Sequence, residues 1–566
     1  MPVHHSIRRV RVAAIAATMV ITSVSAFGQS GQLRNSVWTA AAQAAAQTAA
    51  QPAETVRRIT IDEAVKLALE QNLGIQIQRL DPQIQDIGIS QARSFWAPQF
   101  ASTFSRQSQT SQATNSLAGG ASSISNGTLA SSVSLSQNLP TGASYQANWN
   151  NARFTTTNLF NNFSPQVSSF LNFQVSQPLL RNFSIDQIRQ QVASSKKLRD
   201  LSDIQLDSVV VQTSRAVRNA YWDLSYAIDN LKAQEESLKL AQQSLTDNRK
   251  RVEIGTLAPI DIVQAQAEVA SNEERVIVSE AAIKRAQDSL RALILDPSAP
   301  DFWTTTFQPT DAAPFQEQGI DTDGAVRNAL DKRSDLRSAK NSLERSDIDI
   351  RYLKNQILPD VSAQATYISR GIGGTQLNAL TQQDILAGNI DRFVVAQRGF
   401  GSVVGNLFQN QFPDWTVGVQ IGYPLGTNTA QANLARARIQ YQQAQTQLKN
   451  LEMQVATQVR EAARQVQTNQ KRVQSARVSR ELQEKKLEAE EKKLAAGMSQ
   501  SFFVFQAQRD LSLARTTEIQ AIADYNKSLV DFETVQVAPL GGGGGGITTA
   551  GSGSLQSGSS AIVRGQ

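Results

Sequence analysis

Cysteine is absent from this chain, and histidine is almost absent. The 566 residues include only two histidines, His4 and His5, both at the extreme N-terminus. Nucleophilic cysteines, histidine general bases and zinc sites built from these residue types are therefore excluded from the rest of the chain. Hydrolysis by paired carboxylates would need two acidic residues in an apolar, pocket-like context, and the sequence shows no such pair. We expect neither an enzyme nor a bound cofactor or metal.

Long apolar runs are also missing, apart from one at the N-terminus. Three arginines within residues 8–11 precede the apolar run from Val12 to Val24, and Val24-Ser25-Ala26 offers the small residues that a signal peptidase accepts. We therefore expect residues 1–26 to be a signal peptide. No later window approaches the 18 or so apolar residues of a spanning helix. A membrane-embedded part would therefore have to be a β-barrel.

A strong excess of charge is missing as well. The formal net charge is +6, and loss of the three signal-peptide arginines lowers it to +3. This charge is small for so long a chain, so the sequence lacks the electrostatic footprint of a nucleic-acid-binding protein. We expect no nucleic-acid partner.

The chain contains two sets of similar short motifs, and the motifs of both sets follow one another in the same order. Ala64-Val65 recurs 261 residues later as Ala325-Val326, and Gly255 recurs 242 residues later as Gly497. The offset falls along the chain, as small insertions in the first copy would make it. Because chance rarely preserves such an order, we expect two copies of one supersecondary unit.

The predicted organisation follows from these copies and from composition. It comprises a signal peptide (1–26), a flexible Ala/Gln-rich leader (27–58), repeat 1 (59–296), a connector (297–319), repeat 2 (320–536) and a flexible Gly/Ser-rich tail (537–566). Each repeat is predicted to contain a helix, then strands, then a long helical hairpin. In repeat 1, Thr60 and Glu63 have the spacing of a capping box that opens the first helix.

Apolar and polar residues alternate with a period of two in the middle of each copy. The strand-like segments lie at about 99–108, 129–138, 143–153 and 168–177 in copy one, and at about 360–369 and 415–423 in copy two. Their length, their terminal aromatic residues and the alternation of long loops with short turns are typical of an outer-membrane barrel. A soluble sandwich is the alternative interpretation of the alternation alone.

A very long helix follows the strands of each copy. From about Ser184 to Val252 there is no proline or glycine, and apolar residues follow the 4-3 spacing of a coiled-coil seam. In copy two, valines and leucines between residues 459 and 494 repeat by sevens. A helix of about 65 to 69 residues is a rod roughly 100 Å long.

Each rod is predicted to stop at a glycine and to return as a second helix. Gly255 and Gly497 each follow two cations, which suit a helix C-terminus. In copy two, Ser499 or Ser501 is the expected N-cap of the returning helix. Each copy therefore has a hairpin tip far from its strands.

Four or six strands are too few for one chain to close a membrane barrel, since the smallest single-chain barrels use about eight. An open sheet edge is not tolerated in lipid, so we expect the barrel to be shared among copies of the chain. The predicted fold class is an α+β membrane protein, in which a β-barrel is continued by a long α-helical coiled-coil barrel. A tube of strands joined to a tube of helices would be a conduit.

Three sequence features occur together in this chain. They are the Ile-Thr-Ile-Asp-Glu-Ala-Val-Lys-Leu-Ala-Leu start at 59–69, the strand end at 176–180, Ser-Gln-Pro-Leu-Leu, and the two glycine tips, each followed by Gln-Ala-Gln. By these features the chain resembles, over roughly residues 59–536, the TolC-like outer membrane factors, the outer membrane efflux protein family. This resemblance implies a homotrimer in the outer membrane that extends into the periplasm. The trimer would dock onto a periplasmic adaptor protein and an inner-membrane pump and export substrates passively.

The number of barrel strands is a departure from the family. The usual four strands per protomer would give twelve, whereas six would give eighteen. The extra hairpin at about 129–153 either joins the wall or folds over the outside or into the lumen. We favour six strands per chain.

The resemblance also implies two sets of site residues. The docking tips would comprise Gly255, Thr256, Leu257, Gly497, Met498 and Ser499, and the pore constriction Asp261, Gln264, Phe503 and Gln506. The family often has acidic residues where this chain has Phe503 and Gln506, which share one helix face. Either the Phe502–Phe505 segment forms an apolar constriction with little cation selectivity, or its phenylalanines pack between helices. Asp261 is the only matched acid.

Two other classes of protein match parts of this pattern. A structural coiled-coil protein of the envelope would account for the rods but not for strands inserted at the same point of each copy. A periplasmic adaptor without a pore would usually carry one hairpin rather than two. The sequence names neither the exported substrate nor the particular pump.

Overall fold

The structure is a computed structural model that describes residues 55–112, 122–158, 161–311, 315–381, 383–384, 387–389, 391–426 and 428–540. The predicted signal peptide and most of the predicted leader and tail lie outside the described residues. Apart from Thr55, the described residues belong to one compact unit that begins at Val56.

The first half of this unit has one short strand, two helices, four long strands and a helical hairpin. In order they are β1 (Thr55–Ile59), α1 (Ile61–Gln71), α2 (Leu73–Ser94), β2 (Gln99–Gln112), β3 (Ser123–Asn138), β4 (Ser144–Thr156), β5 (Phe163–Pro178), α3 (Gln187–Glu253) and α4 (Ile260–Ile294). The capping box is present: the Thr60 hydroxyl accepts from the Glu63 N–H, and the Glu63 carboxylate accepts from the Thr60 N–H.

The second half repeats this order with fewer strands. Its elements are β6 (Thr305–Pro309), α5 (Thr322–Lys332), α6 (Ser334–Gln356), β7 (Asp360–Leu377), β8 (Val394–Arg398), α7 (Phe400–Phe408), β9 (Pro413–Gly422), α8 (Thr429–Ala495) and α9 (Ser501–Val535). Helices α3 and α8 each have 67 residues, and α4 and α9 each have 35. Both long helices therefore occur where the sequence predicted rods.

In each half, a polar residue separates the first two helices, and its side chain donates to a backbone carbonyl of the last helix. The residue itself differs between the halves. Asn72 separates α1 from α2, and its side-chain amide donates to the carbonyl of Leu293 at 3.0 Å. Arg333 separates α5 from α6, and its guanidinium donates to the carbonyl of Val535 at 3.4 Å. Leu293 and Val535 both lie near the end of the last helix of their half, so each break is tied to the end of its own hairpin.

Two short strands lie partly or wholly within segments that we predicted to be the flexible leader (27–58) and the connector (297–319). Strand β1 begins at Thr55, inside the predicted leader, and pairs with β6, inside the predicted connector. Strands of five residues contain too few alternations to be recognised from a period. In the predicted tail, Ala538 is fully buried and Leu540 packs against the cluster around Val455 and Val459.

The long strands form one antiparallel sheet in the order β2-β3-β4-β5-β7, with β8 and β9 both pairing with the far side of β7. Strand β9 pairs along residues 360–369 and β8 along residues 374–377. The β3–β4 hairpin, whose placement the sequence left open, lies between β2 and β5 and is in register with both. One chain therefore has six long strands in one sheet, and their number in a closed barrel wall stays a prediction.

The two faces of this sheet differ in polarity. One cross-strand row is wholly apolar: Phe100, Leu135, Ala147, Phe173, Tyr367 and Trp415. The neighbouring row, which points to the opposite face, is wholly polar: Gln99, Ser136, Gln146, Gln174, Thr366 and Thr416. The side chains of Phe100 and Trp415 are each 71% exposed. A single chain therefore leaves an apolar sheet face uncovered.

Helix α7 covers part of this apolar face. It packs against β5 and β7, with Val403 and Leu407 buried beneath it. The hydroxyl of Ser369 donates to the carbonyl of Leu407 at 2.7 Å. Gly371 allows this approach, because a Cβ atom there would collide with the backbone of Val403. The alternation of apolar and polar residues predicted no helix between the strands at about 360–369 and 415–423, where α7 lies.

The four long helices pack side by side in the order α4, α3, α9, α8. Around the middle of α3 the packing is apolar and includes Val217, Tyr221 and Leu224, all fully buried. Tyr221 also holds the short strands, since its hydroxyl lies 3.2 Å from the carbonyl of Ile59 and accepts from the Asp311 N–H at 3.1 Å. Burial raises the pKa of Tyr221 to about 12.

Among the described residues, no helix is both long enough and apolar enough to cross a lipid bilayer.

Replacing Tyr221 by phenylalanine tests the hydrogen bonds of this core. We expect Tyr221→Phe to lower the free energy of unfolding by roughly 1 to 2 kcal/mol near neutral pH, because the Asp311 N–H loses its buried acceptor. The pKa of Tyr221 in the folded protein lies above the ordinary value. The contribution of its neutral hydroxyl to the free energy of unfolding is therefore fully present below about pH 10 and is lost towards pH 12. The wild-type advantage in urea unfolding should shrink across that range, and a constant difference would contradict this account.

Candidate functional site

The tip of the first hairpin is a glycine turn of the Schellman type. Gly255 follows α3 with a φ of 76°. The Gly255 N–H donates to the carbonyl of Val252 at 3.0 Å, and the Thr256 N–H donates to the carbonyl of Arg251 at 2.8 Å. These two bonds satisfy the last carbonyls of the helix, so the chain can reverse direction without losing backbone hydrogen bonds.

The second tip has the same geometry. Gly497 has a φ of 73°, its N–H donates to the carbonyl of Leu494 at 3.1 Å, and the Met498 N–H donates to that of Lys493 at 2.8 Å. The N-cap prediction for α9 was wrong, because Gln500 occupies that position without a side-chain cap. The Ser499 hydroxyl instead donates to the Glu490 carboxylate at 2.9 Å.

The two tips differ in charge pairing. At the second tip, Lys492 pairs with Glu488 and Lys493 with Glu490, each at 2.6 Å. The hydrogen bond from Lys493, followed by that from Ser499, lowers the pKa of Glu490. For the cations Lys250 and Arg251 at the first tip, no carboxylate partner is found among the described residues. The first tip is therefore the more cationic surface.

Both tips expose apolar side chains. At the first tip Ile254 is 74% exposed and Leu257 is half-buried, and at the second Met498 is 75% exposed. Ile254 and Met498 lie next to the glycine turns and are largely open to solvent in one chain. Exposed apolar side chains concentrated at a hairpin end are typical of a protein contact surface.

The predicted constriction residues lie on two different helices. Asp261 is half-buried in the first turn of α4, and Gln264 is exposed one turn later. Phe503 and Gln506 are both exposed on α9. Helices α4 and α9 are separated over most of their length by α3, which packs against both. The two pairs therefore lie on helices that, over most of their length, are not direct neighbours within one chain.

Some residues of the Phe502–Phe505 segment pack between helices, and others are exposed as an apolar constriction would require. Val504 and Phe505 are each 5% exposed and pack between helices, whereas Phe502 and Phe503 are 48% and 49% exposed. The rings of Phe502 and Phe503 meet edge to face, with centroids 5.6 Å apart. The segment therefore contains two buried residues, Val504 and Phe505, and two exposed aromatic residues, Phe502 and Phe503.

A buried polar contact between the two hairpins was not predicted. Glu268 of α4 is nearly buried, and one carboxylate oxygen lies 3.6 Å from the guanidinium of Arg509 on α9. The side-chain amide of Asn272 donates to the backbone carbonyl of Glu268 at 2.8 Å. The signal was present in the sequence, since Ala265, Asn272 and Ser279 are spaced by sevens like a coiled-coil seam.

Further polar contacts join α3 to α9 in the tip half of the hairpins. Three side-chain pairs are hydrogen-bonded at 2.8 to 3.2 Å: Gln234 with Thr516, Ser237 with Ser512, and Ser244 with Gln508. Towards the sheet the same two helices are joined by ion pairs, Arg215 with Asp531 at 2.5 Å and Asp223 with Lys527 at 2.7 Å. The contact between α3 and α9 is therefore largely polar on both sides of the apolar cluster around Tyr221.

The tip glycines allow a clean test of the turn. An added Cβ at Gly255 or Gly497 would meet no atom within 4 Å, so only the positive φ opposes a side chain. We expect Gly255→Ala and Gly497→Ala each to cost roughly 1 to 2 kcal/mol locally and to speed amide hydrogen exchange of the tip residues. Gly88→Ala in α2 is the matched control, because Gly88 also has open space but no positive φ. Equal exchange in all three variants would contradict the turn assignment.

Comparison with known proteins gives one family and several structural relatives. The family model of the outer membrane efflux protein matches residues 142–294 and 325–535, which together are more than half of the chain. No curated protein sequence matches the chain significantly.

Three solved structures illustrate the likeness of fold. The CmeC outer membrane channel of Campylobacter jejuni has a TM-score of 0.57 at 14% identity, covering 84% of this chain and 85% of that chain. A membrane protein from Pseudomonas aeruginosa has a TM-score of 0.59 at 15% identity, covering 85% and 91%. The open-state MtrE outer membrane channel of Neisseria gonorrhoeae has a TM-score of 0.55 at 16% identity, covering 85% and 89%.

Proposed function

The chain belongs to the outer membrane efflux protein family, and from that premise we propose that it is the channel component of a tripartite efflux or secretion system. Three copies form a conduit across the outer membrane and the periplasm. Substrates pass through it passively, and an inner-membrane pump supplies the energy. A periplasmic adaptor protein contacts the hairpin tips and opens the channel.

The observation that carries this proposal is the sheet. Its two outermost long strands, β2 and β9, have exposed residues along their whole length and one unpaired edge each. Unpaired backbone groups are not tolerated in lipid, where each costs several kcal/mol. Because six strands alternate in direction, β9 of one copy is antiparallel to β2 of the next. Copies of the chain can therefore close the sheet through ordinary antiparallel pairs.

Three copies of six long strands give an eighteen-stranded wall. The row from Phe100 to Trp415 then faces lipid, and the row from Gln99 to Thr416 faces the lumen. This polarity is the one expected for a water-filled membrane barrel. A wall of this size is wide enough for an aqueous channel rather than a packed interior.

The long helices supply the periplasmic part. Helices of 67 residues extend for roughly 100 Å. The equal lengths of the two hairpins and the two separate family matches support a tube of six similar hairpins from three chains. The exposed outer sides of α4 and α8 would meet those of neighbouring copies.

The tips are proposed as the adaptor-docking surface and the pore entrance. Thr256, Leu257, Met498 and Ser499 flank the two glycine turns and form the docking surface. Asp261 and Gln264 of one hairpin, with Phe503 and Gln506 of the other, form the constriction. The exposure of Phe503 supports an apolar entrance with little cation selectivity.

Closure of the sheet between copies can be tested with engineered disulfides, because the chain has no cysteine. We expect Thr103→Cys, combined in turn with Thr416→Cys, Gly418→Cys or Gln420→Cys, to give oxidised trimers on a denaturing gel for at least one pair. The scan is needed because the register between copies is set by the assembly. These sites lie on the same polar face of β2 and β9.

The matched control joins neighbours within one chain. Ala101 and Ser134 are partners across β2 and β3, so a disulfide between cysteines placed there should leave the chain a monomer on the same gel. Absence of cross-linked trimers for all three β2–β9 pairs would contradict the shared wall.

Conductance of the purified channel in planar bilayers tests the entrance. We expect Phe503→Asp to increase block by divalent cations at least tenfold, because it restores an acidic group at the constriction. Phe505→Leu is the control, since Phe505 is buried between helices and should leave block unchanged. Strong divalent block in the wild type that disappears in Asp261→Ala but persists in Phe503→Ala would refute the apolar entrance.

A further inference from the structure

Two arginines are the only charged residues in a long part of the sheet. Between Gln99 and Pro178, which includes β2 to β5 and their loops, the sequence contains Arg106, Arg153 and no other lysine, arginine, aspartate or glutamate. They are 47 residues apart in the chain. Their placement therefore depends on how the strands pair.

The strand register brings the two arginines into one row. Arg106 of β2 is paired with Leu129 of β3, and Leu129 is paired with Arg153 of β4. Two strand spacings separate their Cα atoms by about 10 Å. Both lie on the same face as the apolar row that contains Phe100 and Trp415, because their positions share its alternation. Two long guanidinium side chains therefore flank one leucine on the apolar face.

Neither arginine has a carboxylate partner among the described residues. The neighbouring loop segments 113–121 and 159–160, which lie outside the described residues, contain no acidic residue. By contrast, Arg370, on the opposite face, pairs with Asp414 at 3.2 Å. The two guanidiniums therefore repel each other with no protein anion between them, and a bound anion would relieve that repulsion.

A hollow lies beside the pair. A cavity of about 440 Å³ is lined by both arginines, by Leu129 and by the hydroxyl-bearing Ser108 and Thr155. Gly127 lies between Ser108 and Thr155 in the register, and the Thr155 hydroxyl leans over it and donates to its carbonyl at 3.2 Å. The hollow therefore lies beside Thr155, towards the two arginines. Hydroxyl groups and guanidiniums around one hollow are the groups that bind a phosphate.

The two arginines lie in the upper part of the apolar band. Arg106 is seven residues beyond the start of β2 at Gln99, and Arg153 is nine residues beyond the start of β4 at Ser144. At about 3.3 Å per residue and a tilt of about 40°, these distances are roughly 18 and 23 Å along the membrane normal, within a band about 25 Å tall. The row continues to Gly373 on β7. Helix α7 covers the β5–β7 part of the row, so the open part is that between β2 and β4.

We propose that Arg106 and Arg153 bind the phosphate of an anionic lipid headgroup in the outer leaflet. The headgroup occupies the hollow between the two arginines, and the acyl chains lie along Phe104, Val133 and Trp149 of the apolar face. The inference rests on the proposed placement of this face in the membrane. It adds a specific lipid to the partners of the channel.

Native mass spectrometry of the purified full-length protein, titrated with phosphatidic acid in detergent, measures this binding. We expect the double variant R106Q/R153Q to bind phosphatidic acid at least tenfold more weakly than the wild type. The double variant R106K/R153K should keep most of the affinity, because it retains both charges. Arg370→Gln, on the opposite face, should bind like the wild type. Phosphatidylcholine, whose phosphate is shielded by choline, should bind all variants equally and weakly.

Three results would overturn the proposal. Equal affinity of the wild type and R106Q/R153Q for phosphatidic acid would show that the arginines do not form the site. Displacement of the lipid by an equal concentration of inorganic phosphate would show a site for free phosphate. If all variants bound both phosphatidic acid and phosphatidylcholine tightly, the lipid would be held by nonspecific apolar contact and not by the arginines. Conductance separates this inference from the channel proposal, because R106Q/R153Q should form pores like the wild type, whereas a wild type without pores would refute the channel itself.

Discussion

Backbone hydrogen bonding along the two free edges of the sheet is the constraint on which the rest of the molecule depends. Every long strand between β2 and β9 has a partner on both sides, and the outer edges of β2 and β9 have none. An apolar face beside unpaired edges is stable neither in water, where the face is exposed, nor alone in lipid, where the edges are unsatisfied. In the proposed assembly, copies of the chain close the sheet and meet both needs together. The long helices would then all leave the proposed wall at one end, because each set of strands begins and ends there.

The helical half is held most strongly in the middle of its length. There Tyr221 and Leu224 are fully buried in the largest apolar cluster, and Tyr221 links the helices to β1 through the carbonyl of Ile59. Towards the tips, Glu268 and Arg509 form a polar contact between α4 and α9. Apolar burial resists separation of helices more strongly than water-exchangeable hydrogen bonds do. The helices are therefore fixed to one another around Tyr221, where the two short strands cross the bundle.

The two halves of the chain agree in framework and differ in detail. The paired helices have the same lengths, and both tips use the same glycine turn. The differences lie in the extra β3–β4 hairpin, in helix α7, and in Asp261 of the first hairpin against Phe503 of the second. Each difference lies at an end of the proposed tube, where pore width, lipid contact or entry is decided, and the shared framework lies between them.

Local periodicity was readable from the sequence, whereas contacts between distant residues were decided by the tertiary structure alone. The lack of proline and glycine predicted α3 and α8, and alternation predicted the six long strands, although several extend further than expected. The short strands β1 and β6, helix α7 and the separation of buried Phe505 from exposed Phe503 were not predicted. Arg106 and Arg153 share a row only because of the register of three strands. The physical reason is one of range: helix and strand periods, caps and glycine turns depend on neighbours a few residues away, which the sequence shows directly. Register and packing depend on which distant faces bury each other, and that choice is made only when the whole chain folds.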